Sequence, residues 1–180
     1  MQGEFGPIRQ IAFVTRNMGR SMEFYTRNLG IGPWFSTNRA VFQQCRYRGA
    51  ACQMHLAAAL AGWGPIQIEL VQQLDDSPSI FNDWMKRPFE REIQQHVAYW
   101  TTDYDGALSL AAARGFVVEQ DGETSWGRFA YLLHPDNPDQ VIEFTDATRQ
   151  RRSFNAAIAA AALNWDGSDP IRPFSAAASA

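Results

Sequence analysis

Four polar residues stand at matching places in two similar halves of the chain. The segment QIAFVT, which starts at Gln10, resembles HVAYWT, which starts at His96. Later, IQIELVQ, which contains Glu69, resembles QVIEFTD, which contains Glu143. A carboxylate within an apolar, strand-like run needs a partner, and a bound divalent ion would provide one for both glutamates. The repeat therefore indicates four potential metal ligands at equivalent positions.

The composition limits the kind of site that the chain can build. Its 180 residues are 46% hydrophobic and 19% charged, which is enough apolar material for a folded domain and too little charge for a disordered one. With three histidines and two cysteines, a Cys-rich zinc module or a three-histidine site is nearly excluded, whereas the 19 acidic residues allow a carboxylate-based centre. The net charge of −3 gives no electrostatic footprint for binding nucleic acid.

The location of the protein can also be predicted from its sequence. No run approaches the roughly 18 apolar residues that span a bilayer, and the first residues lack the basic and apolar segments of a secretory signal. We therefore expect a cytoplasmic protein with no membrane partner. Cys45 and Cys52 lie in apolar surroundings, so free thiols are expected for both.

Each half has the same order of predicted elements, which is a strand, a helix and about three further strands. The residues with helical spacing are Met22, Tyr25 and Leu29 in the first half, and Ala107, Leu110 and Ala111 in the second. Gly30 and Gly115 follow these segments, as C-terminal helix caps do. The pattern predicts an α+β fold of two tandem βαβββ modules.

The domain boundaries follow from the same pattern. The paired modules are expected at about residues 8–74 and 95–146, within a domain of residues 1–146. Residues 75–94 are predicted to form a helical connector, and residues 147–180 a C-terminal helix and tail.

The chain resembles the vicinal oxygen chelate superfamily, which includes glyoxalase I, methylmalonyl-CoA epimerase, extradiol dioxygenases and bleomycin- and fosfomycin-resistance proteins. The resemblance spans roughly residues 8–146 and rests on the motifs QIAFV, SMEFYTRNLGIGPW, IQIELVQ, HVAYW and VIEF. It implies a cup-shaped mixed sheet in which the first and last strands of each module supply two metal ligands. The implied ligands are Gln10, Glu69, His96 and Glu143, a set similar to that of human-type glyoxalase I.

The implied chemistry is that of a metal-dependent lyase, isomerase or epimerase, of the glyoxalase I or methylmalonyl-CoA epimerase type. Oxygen donors with one imidazole suit Zn, Ni, Co or Mn, and an ion of this kind can stabilise an enolate-type intermediate. By analogy with the family, Glu143 would act as the base. The alternatives are a non-catalytic binding protein like the bleomycin-resistance proteins, an extradiol-type dioxygenase, and a purely structural function of Glu69 and Glu143.

Further residues are candidates for handling the substrate. His55 is either an acid/base partner of Glu143 or a half-buried strand residue bonded to a neighbour. The candidates for binding the substrate are Trp34, Phe129 and Tyr131 as aromatic walls, and Arg46, Arg48 and Arg128 as anion-binding groups or as plain surface charge. The resemblance also implies a homodimer that binds a small-molecule substrate. The sequence leaves open the substrate, the metal, and any use of glutathione or CoA.

Overall fold

The computed structural model describes residues 3–178. The helices are α1 (Met18–Leu29), α2 (Ile80–Met85), α3 (Tyr104–Ala113), α4 (Arg149–Ala162) and α5 (Phe174–Ala178). The strands are β1 (Gln10–Thr15), β2 (Trp34–Thr37), β3 (Gln44–Tyr47), β4 (Ala50–Ala51), β5 (Leu56–Trp63), β6 (Ile66–Gln73), β7 (Glu92–Thr101), β8 (Val117–Thr124), β9 (Gly127–His134), β10 (Asn137–Asp146) and β11 (Ile171–Pro173). No helix within residues 3–178 is long and apolar enough to cross a membrane.

The strands form one mixed sheet whose two halves meet at β1 and β7. The strand order is β11-β2-β5-β6-β1-β7-β10-β9-β8-β3-β4. In the first half, β1 runs parallel to β6, which pairs antiparallel with β5; in the second half, β7 runs parallel to β10, which pairs antiparallel with β9. The central pair, β1 and β7, is antiparallel. This topology confirms the predicted α+β fold with two βαβββ modules and a C-terminal helix.

A hairpin of the first half reaches the far edge of the second half. Strands β3 and β4 form this hairpin, and β3 pairs antiparallel with β8. The alternation of β3 turns Cys45 and Tyr47 inward, into an apolar cluster that also contains Phe129 and Tyr131. Cys45 and Cys52 are both free thiols, as expected. The first half thus supplies β3 and β4 at one end of the sheet, and β2, next to β11, near the other end.

Two helices cover the outer face of the sheet, one for each half. Helix α1 buries Met22 and Tyr25 against a cluster that includes Trp34, and it ends at Gly30, whose φ of 66° favours a residue without a Cβ. Leu29 is 51% exposed, so it lies outside the predicted buried face. Helix α3 packs on the second half in the same way. The helices therefore leave the concave face free for other groups.

The connector between the modules is helical over a shorter stretch than predicted. Helix α2 spans Ile80–Met85, and β7 begins at Glu92. The Ser79 hydroxyl caps α2 by accepting a hydrogen bond from the Asn82 backbone N–H, whereas Pro88 lies beyond its end. The short helix buries its apolar side chains, Ile80, Phe81 and Trp84.

The C-terminal segment is more ordered than the predicted helix and tail. Helix α4 packs Phe154 and Ile158 against Leu60 of β5. Beyond it, β11 pairs in parallel with β2, and α5 buries Ala177. Without β11, strand β2 would be an edge with open backbone groups, which explains why this segment adds to the sheet. The last two residues of the predicted tail lie outside the described residues.

Candidate active site

The register of the four central strands brings the potential ligands onto one face of the sheet. These ligands are Gln10 on β1, Glu69 on β6, His96 on β7 and Glu143 on β10. On β1, Ala12 is opposite both Glu69 and His96, and on β7, Ala98 is opposite the other two ligands. Directly opposed residues point to the same face, so all four side chains converge around two buried alanines. The sequence repeat is thus a two-fold repeat in space.

His96 is the centre of this group. Its side chain is fully buried, and its Nε2 atom lies 3.3 Å from Glu69 Oε2 and 3.3 Å from Glu143 Oε2. Its other ring nitrogen, Nδ1, lies 2.5 Å from Oε1 of the buried Gln95. An N–H on Nδ1 that donates to Gln95 leaves Nε2 to face the carboxylates. Within residues 3–178, Nε2 has no hydrogen-bond partner of good geometry.

The two carboxylates make this pocket attract positive charge. Burial by itself would lower the pKa of His96, but the nearby carboxylates of Glu143 and Glu69 raise it to about 9. Burial also raises the pKa of Glu69, against the lowering effect of His96. Two clustered carboxylates in a desolvated place therefore favour a cation between them, as a proton on His96 or as a metal ion.

The donor set suits a divalent ion by atom type, and two of its spacings are compatible with a shared ion. Zinc binds imidazole nitrogen and carboxylate oxygen at about 2.0–2.2 Å, so two donors on one ion lie roughly 3 Å apart. The separation of 3.3 Å between His96 Nε2 and each carboxylate oxygen is close to that value. In the part of the chain that the structure describes, no three His, Cys, Asp or Glu side chains yet surround one point as a complete cage. The fit therefore rests on the orphaned imidazole nitrogen and the donor chemistry.

Gln10 completes the set with a neutral amide. Its Nε2 donates to Gln67 Oε1 at 2.6 Å, and Gln67 Nε2 donates to Asn155 Oδ1 at 3.3 Å. Because the amide nitrogen of Gln10 already donates to Gln67, the carbonyl oxygen of Gln10 is the atom left to act as a ligand. These two hydrogen bonds also connect the β1 end of the site to helix α4.

A cavity of about 140 Å³ lies over these residues. Gln10, Glu69 and Glu143 line its polar side. Aromatic side chains line much of the remainder, including Phe42, Phe81, Trp126, Phe129, Tyr131 and Phe154. The cavity is thus mostly apolar with a few convergent polar groups, which is typical of small-molecule sites.

Tyr131 is both part of the wall and a neighbour of the ligands. Its ring meets that of His96 edge to face, with 5.1 Å between the centroids. Burial, and then the charges of Glu143 and Glu69, raise the pKa of Tyr131 well above its usual value, and its hydroxyl is hydrogen-bonded to Glu143. The phenol therefore stays protonated and able to donate. Phe129 and Tyr131 are the two predicted wall residues that line the cavity.

The predicted arginines lie elsewhere, which corrects the expectation that they hold a substrate anion. Arg46 pairs with Asp121 at 2.5 Å, and Arg48 pairs with Glu119. Arg46 points outward because the alternation of β3 turns its neighbours Cys45 and Tyr47 inward, and Arg48 is an exposed residue just beyond the end of this strand. Arg128 also lies on the outward face of its strand, where it pairs at 2.7 Å with Asp105 and at 3.0 Å with Asp146.

His55 and Trp34 are also absent from the cavity. His55 is exposed, and its Nε2 lies 2.9 Å from the carbonyl oxygen of Asn38. Even-numbered residues of this segment, such as Leu56, line the cavity, so strand alternation directs His55 away from it. Trp34 is buried in the core beneath α1, where its indole N–H donates to Thr26 Oγ1 at 3.1 Å. The position of Trp34 differs from the predicted aromatic wall, and the contact of His55 with Asn38 favours the second of its two interpretations, a strand residue bonded to a neighbour.

Sequence reasoning missed Arg151, which lines the cavity from helix α4. A signal was present in the sequence. Arg151, Phe154, Asn155 and Ile158 have the spacing of one helix face, and that face is the one packed toward the sheet. The periodicity therefore put an arginine on the buried side of the helix.

The comparison with known sequences decides the family. The sequence pattern of the Glyoxalase/Bleomycin resistance protein/Dioxygenase superfamily matches residues 9–131, which is more than half of the chain. The chain belongs to this superfamily. The match confirms the resemblance seen in the motifs. The matched range includes Gln10, Glu69 and His96, and it ends before Glu143 and helix α4.

Solved structures share this superfamily fold at low sequence identity. Methylmalonyl-CoA epimerase from Mycobacterium tuberculosis has a TM-score of 0.53 and 16% identity, with 81% of this chain and 90% of that chain covered. A selenomethionine form of methylmalonyl-CoA epimerase has a TM-score of 0.53 and 15% identity, with 79% and 95% covered. A hypothetical protein from Bacillus halodurans C-125 has a TM-score of 0.56 and 15% identity, with 80% and 96% covered. No curated protein matches the sequence significantly.

Proposed function

We propose that the protein is a divalent-metal-dependent lyase, isomerase or epimerase that transfers a proton on a small oxygen-chelating substrate through an enolate-type intermediate. The observation that carries this proposal is the buried His96 Nε2, which lies 3.3 Å from a carboxylate oxygen of Glu69 and of Glu143. An imidazole nitrogen without a hydrogen-bond partner of good geometry among residues 3–178, held between two carboxylates that line a cavity, is the arrangement expected of ligands that share an ion. Membership of a superfamily that includes enzymes of this kind supports the same function.

Four residues would hold the ion, namely Gln10, Glu69, His96 and Glu143. When bound, a divalent ion would supply Lewis-acid polarisation of a substrate carbonyl, which makes the neighbouring C–H more acidic. Gln95 would keep the His96 ring in place through its hydrogen bond to Nδ1.

Glu143 is the group best placed to take the proton. It is 5% exposed and lines the cavity, so its carboxylate meets the substrate with little competing water. We propose that it accepts the proton from the carbon beside the polarised carbonyl and returns it to the same or the adjacent carbon. Tyr131, protonated and hydrogen-bonded to Glu143, would orient that carboxylate throughout.

The cavity sets the size of the reacting part of the substrate. A volume of about 140 Å³ is close to the roughly 150 Å³ cavity that holds one benzene molecule in a protein core. A reacting group of about six to eight heavy atoms therefore fits. A larger carrier, such as glutathione or CoA, would have to remain outside it.

Metal binding provides the first test. Elemental analysis of the purified protein is expected to find about one divalent ion per chain. Titration of the chelator-treated protein with Zn, Ni, Co and Mn would rank these ions. Glu69→Gln is expected to weaken binding of the best ion by roughly 10- to 100-fold, whereas Glu123→Gln, an exposed carboxylate on β8, leaves it unchanged. Less than about a tenth of an ion per chain, with none bound on titration, would overturn the proposal.

Proton exchange provides the second test and separates the alternatives. Loaded protein is incubated in D₂O with α-hydroxythioesters, acyl-CoA esters or aromatic 2-oxo compounds, and NMR follows deuterium at the carbon beside the carbonyl. Exchange that Glu143→Gln abolishes supports an enzyme. Tight binding of a compound without exchange supports a bleomycin-resistance-like binding protein. Oxygen uptake with a catechol would instead support a dioxygenase.

The homodimer and the cytoplasmic location remain predictions. We propose that the dimer, if it forms, uses the exposed alanines of α4, among them Ala156 and Ala160. Light scattering of the purified protein measures its mass, and a mass near 20 kDa at micromolar concentration would contradict a dimer.

A further inference from the structure

Arg151 is a half-buried charged side chain whose Nε atom is fully buried. Its Nη2 donates to the Gly127 carbonyl oxygen at 3.3 Å, and its Nε has no hydrogen-bond partner in the described part of the chain. Within residues 3–178 it forms no ion pair, unlike Arg128 nearby. A guanidinium has five N–H donors, and burying one without partners is costly. Such a group is retained where something else meets it.

Arg151 lines the same cavity as three of the four potential ligands. Arg151 lines this cavity together with Glu69 and Glu143, from the opposite wall formed by α4. Burial lowers the pKa of Arg151, and the charges of Glu143 and Asp146 oppose that effect, so the guanidinium remains protonated in the ordinary pH range. A fixed positive charge is therefore available inside the cavity.

The charges of the proposed site do not balance without a further anion. A bound divalent ion would be balanced by the two carboxylates of Glu69 and Glu143. The positive charge of Arg151 is then left over in a desolvated place. A substrate with one negative charge would neutralise it, whereas an uncharged substrate would leave it unpaired.

We propose that Arg151 binds the carboxylate of the substrate, and that the substrate is a small carboxylic acid with an enolisable carbonyl group and a short apolar body. The identity of the reacting carbonyl rests on the proposed function; the carboxylate contact with Arg151 does not. A planar guanidinium matches the two oxygens of a carboxylate. The aromatic wall, including Phe129 and Phe154, would pack on the apolar body.

Arg151 lies outside the part of the chain that matches the superfamily pattern. The superfamily pattern covers residues 9–131, whereas Arg151 belongs to α4, the helix that follows the paired modules. The C-terminal extension would thus determine which substrate fits a cavity whose ligands come from the paired modules.

Binding of a matched pair of probes tests the proposal. The probes are 3-methyl-2-oxobutanoate, which has eight heavy atoms, and its uncharged methyl ester, measured by isothermal titration calorimetry on the metal-loaded full chain. The wild type is expected to bind the acid at least about tenfold more tightly than the ester. Arg151→Met is expected to weaken binding of the acid by roughly 10- to 100-fold and to leave that of the ester unchanged. Arg152→Met, an exposed arginine on the same helix, is the control for net charge.

Thermal unfolding separates a binding function of Arg151 from a structural one. The Gly127 oxygen also accepts a hydrogen bond from Thr124 Oγ1, so Arg151→Met leaves no buried acceptor without a partner. Removing an unpaired buried charge should leave Tm unchanged or raise it by about 2–4 °C. A fall of more than about 5 °C would indicate a structural role and would contradict the proposal.

The remaining outcomes are distinguishable from failure of the proposed function. If Arg151→Met binds the acid as tightly as the wild type, or if the wild type prefers the ester or binds neither probe, the inference is overturned. If the protein binds no metal but still loses its preference for the acid in Arg151→Met, the proposed metal function fails and the carboxylate contact stands.

Discussion

The two halves of the sheet have the same backbone plan and differ in what faces their glutamates. In the first half, Leu60 of β5 is opposite Glu69, and it packs under α4 against Phe154. In the equivalent place of the second half, Tyr131 of β9 is opposite Glu143 and is hydrogen-bonded to it. An apolar neighbour can only surround a carboxylate, whereas a phenol can orient it. If the proposed function is correct, the first half would mainly hold the ion and the second half would transfer the proton.

The other ligand pair differs in the same direction. Gln10 is tied to its neighbour Gln67, which continues to α4. The residue opposite His96 at the matching position is Val141, and the imidazole is positioned by Gln95 instead. The strand register has a shift just beyond Ala12, which is where Gln95 enters the core. A neutral amide and an imidazole thus occupy symmetric backbone positions with different supports.

Exchange of the two glutamates for glutamine should give the largest difference between the halves. Glu143→Gln removes the proposed base, so the rate of proton exchange at saturating metal should fall by about 10²- to 10⁴-fold. Glu69→Gln weakens binding of the ion but keeps the proposed base, Glu143, so excess metal should restore most of the exchange rate. The measurement is deuterium incorporation by NMR at increasing metal concentration.

The result would contradict this division if both variants lost exchange equally at saturating metal. It would also contradict the division if Glu143→Gln remained as active as the wild type. Glu123→Gln, which changes an exposed carboxylate on β8, serves as the control, and its rate should match the wild type.

The two first-strand ligands should also differ in how much affinity they contribute. His96→Asn removes an imidazole from the centre of the site and should lower the affinity for zinc by more than about 100-fold. Gln10→Ala removes a neutral oxygen ligand and should lower this affinity by about tenfold. Calorimetric titration with zinc measures both. Equal losses would mean that the halves hold the ion symmetrically.

Much of this site could be predicted from the sequence because strand patterns are local. The matching of Gln10 with His96 and of Glu69 with Glu143 required only two similar segments in each half, and the parallel pairing of first and last strands then brings them together. The order of the elements was predictable for the same reason.

The positions of the arginines could not be predicted in this way. Arg46 is neutralised by Asp121 of β8. Strands β3 and β8 are far apart in the sequence and become neighbours only because the β3 hairpin pairs with β8. Strand alternation around Cys45 and Tyr47 indicated the outward face, but the candidate set was chosen by residue type. The location of Arg151 required knowing that α4 packs on the concave face, which depends on tertiary contacts with Leu60.

Glycine substitutions test whether α4 covers the first half as closely as described. A Cβ on Gly62 would lie 2.8 Å from the Ala162 Cβ, so Gly62→Ala should push α4 from β5 and lower the free energy of unfolding by about 1–3 kcal/mol. Gly19→Ala is the matched control in α1, because its nearest contact is 3.6 Å away and alanine favours a helix. Urea unfolding followed by circular dichroism measures both. An unchanged stability of Gly62→Ala would show that α4 does not press on this strand.

The smallest expected effect concerns Tyr131 and Leu60, the residues opposite Glu143 and Glu69. Tyr131→Phe removes only the hydroxyl that orients Glu143, which is expected to lower kcat for proton exchange by roughly 5- to 30-fold, the equivalent of one hydrogen bond. KM and metal affinity should stay the same, since the ring still lines the cavity and the ligands are intact. Leu60→Met, a change of similar volume at the equivalent place, should alter kcat by less than about twofold. If Leu60→Met had the larger effect, the reacting carboxylate would belong to the first half, and Glu69 would replace Glu143 as the base.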